Sequence, residues 1–446
     1  MELTIKGVPF WIFCALLLAR NCAPVEGVYS AAQETAIRTA KLDTNYDPVS
    51  RPADTTEVKI GLNVLAIDEL DLKSQKLTLA GWLTMEWEDS RLAYTKASYD
   101  DIESAFAQPS KIWKPEVVID NSLEDLGVVT DSSLLLRFDY LGLVEWEPPR
   151  AFNVHCEVDI TYYPYDVQGC SLKIVGWGYT ASEVNLVLPS TPINLEDFET
   201  HGEWVVLRSE ATTSSIVEIL DSGATRTFPV LEYKLIIRRR TDFYNLNVMM
   251  PVIVTSLLVA LTFIVPFESG EKLSYVLTVF LALAVLLTIT SDALPPTSIT
   301  VSVLGLYLGV ITVLAAVGIL LTVLLQLMYH TEGRPKLTGV HGCVLAVTRF
   351  AARVVCSTKQ ELLTSRVRTQ KVVPLSQTDL KKASPAKNDE ETMSLGRDTD
   401  LADISWSEIA IIWDRFLFVI FMAVTVIMNI SFIIALVAGG NSDQAA

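Results

Sequence analysis

Four long apolar blocks constrain this chain more than any other feature. They span about residues 244–265, 273–294, 299–328 and 409–438 of a 446-residue sequence. Each reaches the roughly 20 residues that an α-helix needs to cross the hydrocarbon core of a bilayer. The polar sequence before them is long enough to form a domain of its own. We therefore predict a membrane protein with four spanning helices that follow a globular domain.

Composition and motifs exclude several other classes of protein. Hydrophobic residues make up 50% of the chain and mean hydropathy is +0.36, which excludes a disordered chain or a collagen-like fibre. A net charge of −17 would repel phosphate, so we expect no nucleic-acid partner. The sequence contains no nucleophile elbow, P-loop or dinucleotide-binding motif, and its four His lack metal-ligand spacing. We expect neither an enzyme nor a cofactor.

The N-terminus and the charge distribution predict the topology. Lys6 precedes a short apolar run, Val8–Ala19, which indicates a secretory signal peptide; an N-terminal anchor helix is the alternative. With a translocated N-terminus, four spans place both ends outside and residues 330–408 in the cytoplasm. Residues 28–241 hold 19 Lys and Arg against 34 Asp and Glu, whereas residues 330–408 hold 12 against 10. The basic bias therefore lies on the inner side, as the positive-inside trend expects.

The acidic charge of the outer domain has two possible roles: it concentrates cations near the surface of the domain, or it keeps the domain soluble.

The insert between the third and fourth spans is polar over residues 357–405, where we expect disorder, and its flanks at about 338–356 and 400–413 fit amphipathic helices.

Short alternating strand patterns fill the outer domain. They are separated by Gly, Pro and Asp turns, an arrangement that predicts an antiparallel β-sandwich behind a short helix at residues 31–41. The clearest patterns are Val58–Val64, Leu77–Trp87, Ser132–Phe138 and Val230–Ile237.

Cysteine usage narrows the fold further. Of six cysteines, two lie in the predicted signal peptide and two in the reducing cytoplasm, which leaves Cys156 and Cys170 outside, where disulfides persist. They enclose 13 residues. A bridge closing such a loop is worth about 3 kcal/mol in the chain-entropy model.

The loop between these cysteines carries Tyr163, Pro164, Tyr165 and Asp166. Followed by four apolar spans, it resembles the loop of the Cys-loop receptors, the pentameric ligand-gated ion channels, and most closely their nicotinic acetylcholine receptor branch. The resemblance covers residues 35–330 and 400–438. Its other motifs are Trp82–Asp89, Trp113–Glu116, Trp177, Gly202–Trp204, Arg238–Arg240, Pro251, Glu271-Lys272 and Trp413–Phe416.

The resemblance implies a β-sandwich extracellular domain followed by a four-helix transmembrane domain, assembled as a pentamer. The expected divisions are a signal peptide at 1–27, an extracellular ligand-binding domain at 28–241, three membrane helices within 242–329, a cytoplasmic loop at 330–408, a fourth membrane helix at 409–438 and an extracellular tail at 439–446.

The second span carries a polar stripe on one side of the helix. At about 100° per residue, its members fall within about 60° of Ser274. They are Glu271, Ser274, Thr278, Leu281, Val285, Thr288, Ile289 and Asp292. Such a stripe is useless to a lipid-facing helix and is typical of one that lines a water-filled pore; the alternative is that the hydroxyls bond neighbouring helices in a packed bundle.

Five copies of this helix around an axis would place rings of carboxylates at both mouths of a pore. Glu271 would lie at the inner mouth and Asp292 at the outer mouth, where they attract cations and repel anions. Leu281 and Val285 would form apolar rings that gate by dewetting. Lys272 would point away from the pore. We expect selectivity for monovalent cations.

The resemblance also implies the elements that couple binding to gating. They would meet at the boundary between the domain and the membrane, where Arg239 or Arg240 either pairs with acidic loops or anchors the chain near the membrane. The set is Tyr163, Pro164, Tyr165, Asp166, Arg239, Arg240 and Pro295.

In the nicotinic branch an aromatic box between subunits holds an ammonium group by cation–π attraction. This chain keeps Trp177 at the principal face and Trp82 at the complementary face, with Tyr179 and Phe228 as further aromatic candidates. Asp120 stands where the family usually has Tyr; it either supplies a carboxylate to a cationic ligand or is simply solvated. Residues 209–229 lack the Cys pair and Tyr of the usual capping loop.

We therefore expect a ligand-gated cation channel subunit that binds a small molecule, such as an amine, and contacts membrane lipids. It would form a homopentamer or a heteropentamer. The alternatives are a non-conducting auxiliary subunit and, from another class, a transporter or adhesion receptor. Residues 196–199 are a solvated acidic loop or a weak calcium site, and the sequon at Asn429 lies inside the fourth span, where it would go unused.

Overall fold

The computed structural model describes residues 30–124, 129, 133–296, 299–332, 347–348, 350–351, 354 and 405–442. The chain divides into two compact units. The sandwich unit runs to Val158 and resumes over Val167–Arg240, and the helical unit comprises Asp159–Asp166 and the chain from Thr241 onward.

The sandwich unit begins with helix α1, Ala31–Arg38, and a π-helical turn, Thr39–Asp43. Two sheets follow. The larger contains β1 (Thr56–Asp71), β2 (Lys76–Glu88), β3 (Ser104–Ala107), β5 (Leu136–Asp139), β6 (Leu143–Trp146), β7 (Pro149–His155), β9 (Val184–Val187) and β10 (Ile193–Asn194). The smaller has the order β11 (Trp204–Ile219), β12 (Thr225–Arg239), β8 (Val167–Gly176) and β4 (Val117–Ile119).

The predicted β-sandwich is confirmed, with two differences in detail. Strands β9 and β10 pair in parallel with β1, along the edge of β1 that β2 leaves open. The strand expected over Ser132–Phe138 begins only at Leu136, which pairs with Ala107, the last residue of β3; beyond it the partner strand has ended. Ser132 itself lies outside the described residues.

Strand β2 shows why the alternating pattern predicts a two-sided sheet. Leu83, Met85 and Trp87 are buried in the core, whereas Trp82 and Thr84, which alternate with them, are only half-buried. Successive side chains of a strand point to opposite faces, so the odd-numbered residues pack inside and the even-numbered ones lie on the outer face.

The outer edge of β2 changes partner along its length. Residues Lys76–Trp82 pair with β7, and Met85–Glu88 pair with β6. The change occurs at Glu147 and Pro148, which belong to neither strand. Pro148 still contributes its carbonyl, which accepts a hydrogen bond from the Leu83 N–H at 3.4 Å.

Two long-range links close the sandwich. The predicted Cys156–Cys170 disulfide is confirmed and joins the end of β7 to β8. The buried Tyr233 hydroxyl of β12 donates to the Ile60 carbonyl of β1 at 2.5 Å, which ties the two sheets together. Burial raises the pKa of Tyr233, because the phenolate would be poorly solvated there.

The helical unit contains four helices long and apolar enough to cross a membrane: α2 (Asp242–Ile264), α3 (Lys272–Ala293), α4 (Val303–His330) and α5 (Trp406–Ser442). The third apolar block starts later than its sequence suggests, because Ser302 caps α4: its Oγ accepts from the Gly305 N–H at 3.5 Å. The predicted signal peptide and the insert at 357–404 lie outside the described residues.

Polar contacts tie the helices of this unit to one another. Lys272 of α3 donates from Nζ to Asp414 of α5 at 2.5 Å and to the Val265 carbonyl at 3.0 Å. Between α2, α4 and α5, Asn429 donates to the Ser256 Oγ at 3.0 Å and accepts from the Tyr307 hydroxyl at 3.0 Å. Such interhelical hydrogen bonds are a common source of helix association in membranes.

Candidate functional site

The smaller sheet carries a row of apolar residues at its edge. Val118, Val175 and Val230 lie side by side on β4, β8 and β12, and Phe228 packs against them. Trp177 follows β8 directly, and its N–H donates to the Glu116 carbonyl at 3.0 Å. Its side chain is 61% exposed. An exposed indole beside an apolar row is available to a ligand or to a neighbouring subunit.

Tyr179, two residues further on, turns towards the body of the domain. Its ring lies 6.2 Å from that of Trp113, and the Arg51 guanidinium is 5.9 Å from its centroid. The next turn is fixed by Glu183, which accepts hydrogen bonds from the Thr180 N–H at 2.9 Å and from its hydroxyl at 2.8 Å. These bonds hold the pKa of Glu183 below its ordinary value.

Asp120 follows the end of β4 and belongs to a row of charged residues that crosses the smaller sheet. Its N–H donates to the Lys173 carbonyl at 2.9 Å, and its side chain is exposed. Lys173 lies directly opposite Glu232 on β12. Acidic and basic residues therefore alternate across the sheet one row beyond the valines.

The segment expected to cap the site is a long β-hairpin. β11 and β12 stay paired as far as Ile219 and Thr225. Near the tip, Ile216 is opposite Phe228 and Glu218 is opposite Arg226. Ile216, Val217 and Ile219 are exposed, so this hairpin presents aliphatic side chains and a cross-strand charge pair.

Trp82 lies on the larger sheet and not beside Trp177. It is half-buried in β2, opposite Asn63 of β1 and Pro149 of β7. Trp87, further along the strand, is buried in the core with its ring 6.0 Å edge-on to Trp113. The structure thus separates the two tryptophans of β2 onto opposite faces, as their odd spacing predicts.

A polar network behind Trp113 escaped the sequence reasoning. Tyr46 donates from its hydroxyl to the fully buried Asp89 at 2.7 Å and accepts from the Trp113 N–H at 3.0 Å. Arg91 donates to both carboxylate oxygens of Asp89, at 2.8 and 2.7 Å. Burial, reinforced by the Asp89 carboxylate, raises the pKa of Tyr46. The two-residue spacing of Asp89 and Arg91 could have indicated their ion pair, but nothing in the sequence indicates that Tyr46, 43 residues away, joins it.

The exposed surface of α3 includes the whole of its predicted polar stripe. All eight residues of the stripe, from Glu271 to Asp292, are exposed in the single chain. The buried residues of the helix fall about 140–200° from Ser274, on the opposite side. They are Lys272, Val276, Val279, Leu283 and Thr290. The helix therefore packs against its own bundle with the back and leaves the stripe uncovered.

The expected coupling residues fall into two groups. In the helical unit, the Tyr163 ring is 5.6 Å from that of Tyr244, and the Tyr165 hydroxyl donates to the Asn245 Oδ1 at 2.7 Å. Tyr163–Pro164 is a cis peptide, and Asp166 is buried. Pro295 is also buried.

The second group lies at the end of β12. Arg239 is buried, pairs with Glu203 and stacks 4.2 Å above the Trp204 ring. Arg240 donates from Nε to the His201 carbonyl at 3.2 Å. His201, to which the sequence assigned no role, accepts the Glu203 and Trp204 N–H groups at Nδ1, each at 3.1 Å. Sequence alone carries no signal for this turn.

Among the described residues, no group of three or more His, Cys, Asp or Glu is placed to hold a metal ion. The acidic side chains at 196, 197 and 199 are simply exposed.

Comparison with known proteins identifies both halves of this arrangement. Residues 36–241 match the model of the neurotransmitter-gated ion-channel ligand binding domain, and residues 248–394 match that of the neurotransmitter-gated ion-channel transmembrane region. These matches, together with the four apolar helices, indicate a multi-pass plasma-membrane protein whose N-terminal domain is extracellular.

Curated relatives include neuronal acetylcholine receptor subunits. The alpha-4 subunit of Gallus gallus is 29% identical over 72% of this chain and 51% of the relative, and that of Homo sapiens is 30% identical over 75% and 54%. The alpha-2 subunit of Rattus norvegicus is 28% identical over 74% and 65%. The chain thus spans between about half and two thirds of the length of these relatives.

Proposed function

We propose, on the premise that this chain belongs to the neurotransmitter-gated ion-channel family, that it is a subunit of a pentameric, cation-selective channel opened by a small molecule. The stripe from Glu271 to Asp292 on α3 lines the pore. Residues 330–408 lie in the cytoplasm, and the C-terminus is extracellular. The expected domain limits, including a signal peptide at 1–27, belong to this proposal.

The exposed stripe of α3 carries the proposal. A helix that buries Leu283 and Val276 inside its own bundle, yet leaves Glu271, Thr278 and Asp292 uncovered, needs a polar environment on that side. Five such faces around an axis enclose water. The rings of Glu271 and Asp292 then favour cations at each mouth, and Leu281 with Val285 forms the apolar constriction.

The ligand site lies between neighbouring subunits. Trp177 follows the smaller sheet and Trp82 lies on the larger one. Two copies of the chain can therefore present both indoles to one ligand, with Tyr179, Phe228 and Asp120 around the first. The relatives are acetylcholine receptor subunits by name, but the aliphatic hairpin of this chain favours a different amine.

The pore assignment is tested without any ligand by expressing Leu281→Thr in oocytes. A hydroxyl ring wets the constriction, so we expect a resting current under voltage clamp whose reversal potential follows the sodium gradient. Leu287→Thr is the matched control: it lies on the back of α3, about 140° from the centre of the stripe, and should add no current.

Three results would contradict the proposal in different ways. A leak that follows chloride overturns cation selectivity. An equal leak from Leu287→Thr overturns the assignment of the pore face. Protein at the cell surface without any leak overturns the homomeric channel and favours an auxiliary subunit that needs partners.

A further inference from the structure

The outer face of β2 holds a carboxylate beside Trp82. Thr84 follows Trp82 by two residues on the same face of the strand, and both are half-buried. The Thr84 hydroxyl donates to the Oε1 of Glu147 at 3.1 Å. In turn, the Asn63 amide donates to the Thr84 hydroxyl at 2.8 Å. A relay of two hydrogen bonds therefore positions the exposed Glu147 next to the indole.

The position of Glu147 follows from the register that β6 and β7 share along β2. Glu147 and Pro148 belong to neither strand, but the register along β2 runs through them unbroken, and the Pro148 carbonyl accepts from the Leu83 N–H at 3.4 Å. Met85 is opposite Trp146 and Trp82 is opposite Pro149, which leaves Glu147 facing Thr84. Its side chain is directed by Thr84.

The neighbouring carboxylates of this face have cations in the same row. Glu86 lies between Lys59 and Glu145, and Glu145 is opposite Arg137. That row is balanced, with two acidic and two basic residues. Glu147 stands one step nearer to Trp82, and its described contact is the neutral Thr84 hydroxyl. The face therefore presents negative charge where the indole is.

We propose that Glu147 and Trp82 together select ligands that carry a protonated amine with at least one N–H. Trp82 and Glu147 are diagonal neighbours on two paired strands, about 7–8 Å apart, so one ammonium fits between the carboxylate and the indole. An N–H donor forms a charge-assisted hydrogen bond with Glu147, whereas a quaternary ammonium has no proton to donate and keeps only its attraction to the ring. This assignment rests on the proposed intersubunit ligand site and names its ligand class.

The test compares two amines that differ only at nitrogen: phenethylamine and N,N,N-trimethylphenethylammonium. Their affinities are measured by tryptophan-fluorescence titration of the full chain in lipid nanodiscs, so that binding is read independently of conduction. Glu147→Gln should weaken phenethylamine by about 10- to 100-fold and the trimethyl compound by less than about 5-fold.

Two further variants separate positioning from general damage. Thr84→Val keeps the shape of the side chain but removes the hydroxyl that directs Glu147, and it should weaken phenethylamine selectively by a smaller factor. Glu88→Gln changes an exposed carboxylate on the same strand, about 13 Å from Thr84, and should leave both affinities unchanged.

The outcomes that overturn the proposal are distinct from a failure of the channel function. Equal shifts for both amines in Glu147→Gln, or no shift, exclude a hydrogen bond from the ligand to this carboxylate. Absence of binding of either amine to the unmodified chain excludes the amine class. If Leu281→Thr carries no resting current while Glu147→Gln weakens phenethylamine selectively, the result contradicts the proposed channel function but supports the proposed role of Glu147 in ligand binding.

Discussion

Each unit of the molecule contains a buried carboxylate paired with a cation, and the two pairs are built differently. In the sandwich unit, Asp89 is fully buried, but Arg91, two residues away, keeps 28% of its side chain exposed. In the helical unit, Lys272 and Asp414 are 1% and 10% exposed and lie 142 residues apart in sequence. The Asp89–Arg91 pair is formed by near neighbours in sequence and is partly exposed to solvent. The Lys272–Asp414 pair joins distant parts of the chain and is almost completely buried.

The difference teaches what each pair contributes. Arg91 closes a turn and also donates to the Ser50 carbonyl at 2.9 Å, while the Asp89 carboxylate keeps a second donor in the Tyr46 hydroxyl. Removing one group there leaves others. Lys272 joins α3 to α5, and burying both charges costs desolvation that only their contact and hydrogen bonds offset. Removing either Lys272 or Asp414 therefore leaves the other charge buried without a counter-ion.

The largest expected effect is therefore in the helical unit. Lys272→Met leaves Asp414 buried without its cation and should lower the free energy of unfolding by about 3–5 kcal/mol. The double variant Lys272→Met/Asp414→Leu should recover most of that loss, because no charge remains buried. Thermal melting of the purified protein, followed by size exclusion, measures both.

Arg415→Met serves as the control for this pair. Arg415 is next to Asp414 but exposed, so its loss should change the melting temperature little. A double variant as unstable as Lys272→Met alone would mean that the lysine acts through packing, including its position 4.2 Å above the Phe267 ring, and would remove the contrast between the two units.

A smaller effect is expected in the sandwich unit. Arg91→Met removes two charge-assisted hydrogen bonds from Asp89 but spares those from Tyr46 and from the Arg91 backbone, so a loss of about 1.5–3 kcal/mol is expected. Lys111→Met, which breaks an exposed pair with Asp43, should cost less than about 1 kcal/mol. Denaturant unfolding ranks the free energies of unfolding of Lys272→Met, Arg91→Met and Lys111→Met. If Arg91→Met proved as costly as Lys272→Met, solvent access would not explain the difference.

The smallest effect concerns pH and the turn after Trp177. Hydrogen bonds from Thr180 lower the pKa of Glu183 beneath its ordinary value of 4.5. The stability that this carboxylate contributes is thus fully present above pH 4.5 and is lost as the pH falls through its lower folded pKa. Glu183→Gln should melt earlier than the unmodified chain at pH 6, and the two curves should converge towards pH 3.

Thr180→Val provides the check, because it removes the side-chain donor and should reduce the pH-dependent part of the difference. A gap between the unmodified chain and Glu183→Gln that stays constant from pH 6 to pH 3 would mean that the charge of Glu183 has no part in holding the turn.

Sequence predicts whatever depends on periodicity or on neighbours along the chain. The four spans, the sandwich, the Cys156–Cys170 bridge and the face of α3 that stays exposed all follow from such patterns. It fails where distant segments meet. The partner of Lys272 is 142 residues away, and nothing in the spacing of Tyr46 indicates that it completes the shell of Asp89.

Glu147 illustrates the same limit within the candidate site. Its spacing from Trp82 in sequence carries no information, because their proximity depends on how β6 and β7 share the edge of β2. A shift of one residue in that arrangement would turn the side chain to the other face. The residues proposed to set ligand chemistry in this domain therefore depend on register, which composition and motifs do not reveal.

The interruption at Glu147 and Pro148 also has a consequence for how such a receptor evolves. In a regular strand, each new side chain must satisfy its neighbours on both sides of the ladder, so substitutions that alter a binding face also disturb pairing. Here Glu147 lies between β6 and β7, and the flanking strands alone hold the register of β2 on either side of it. On the proposed role of Glu147, descendant genes can exchange charge, size or polarity at this one position and change ligand preference while their fold stays unchanged.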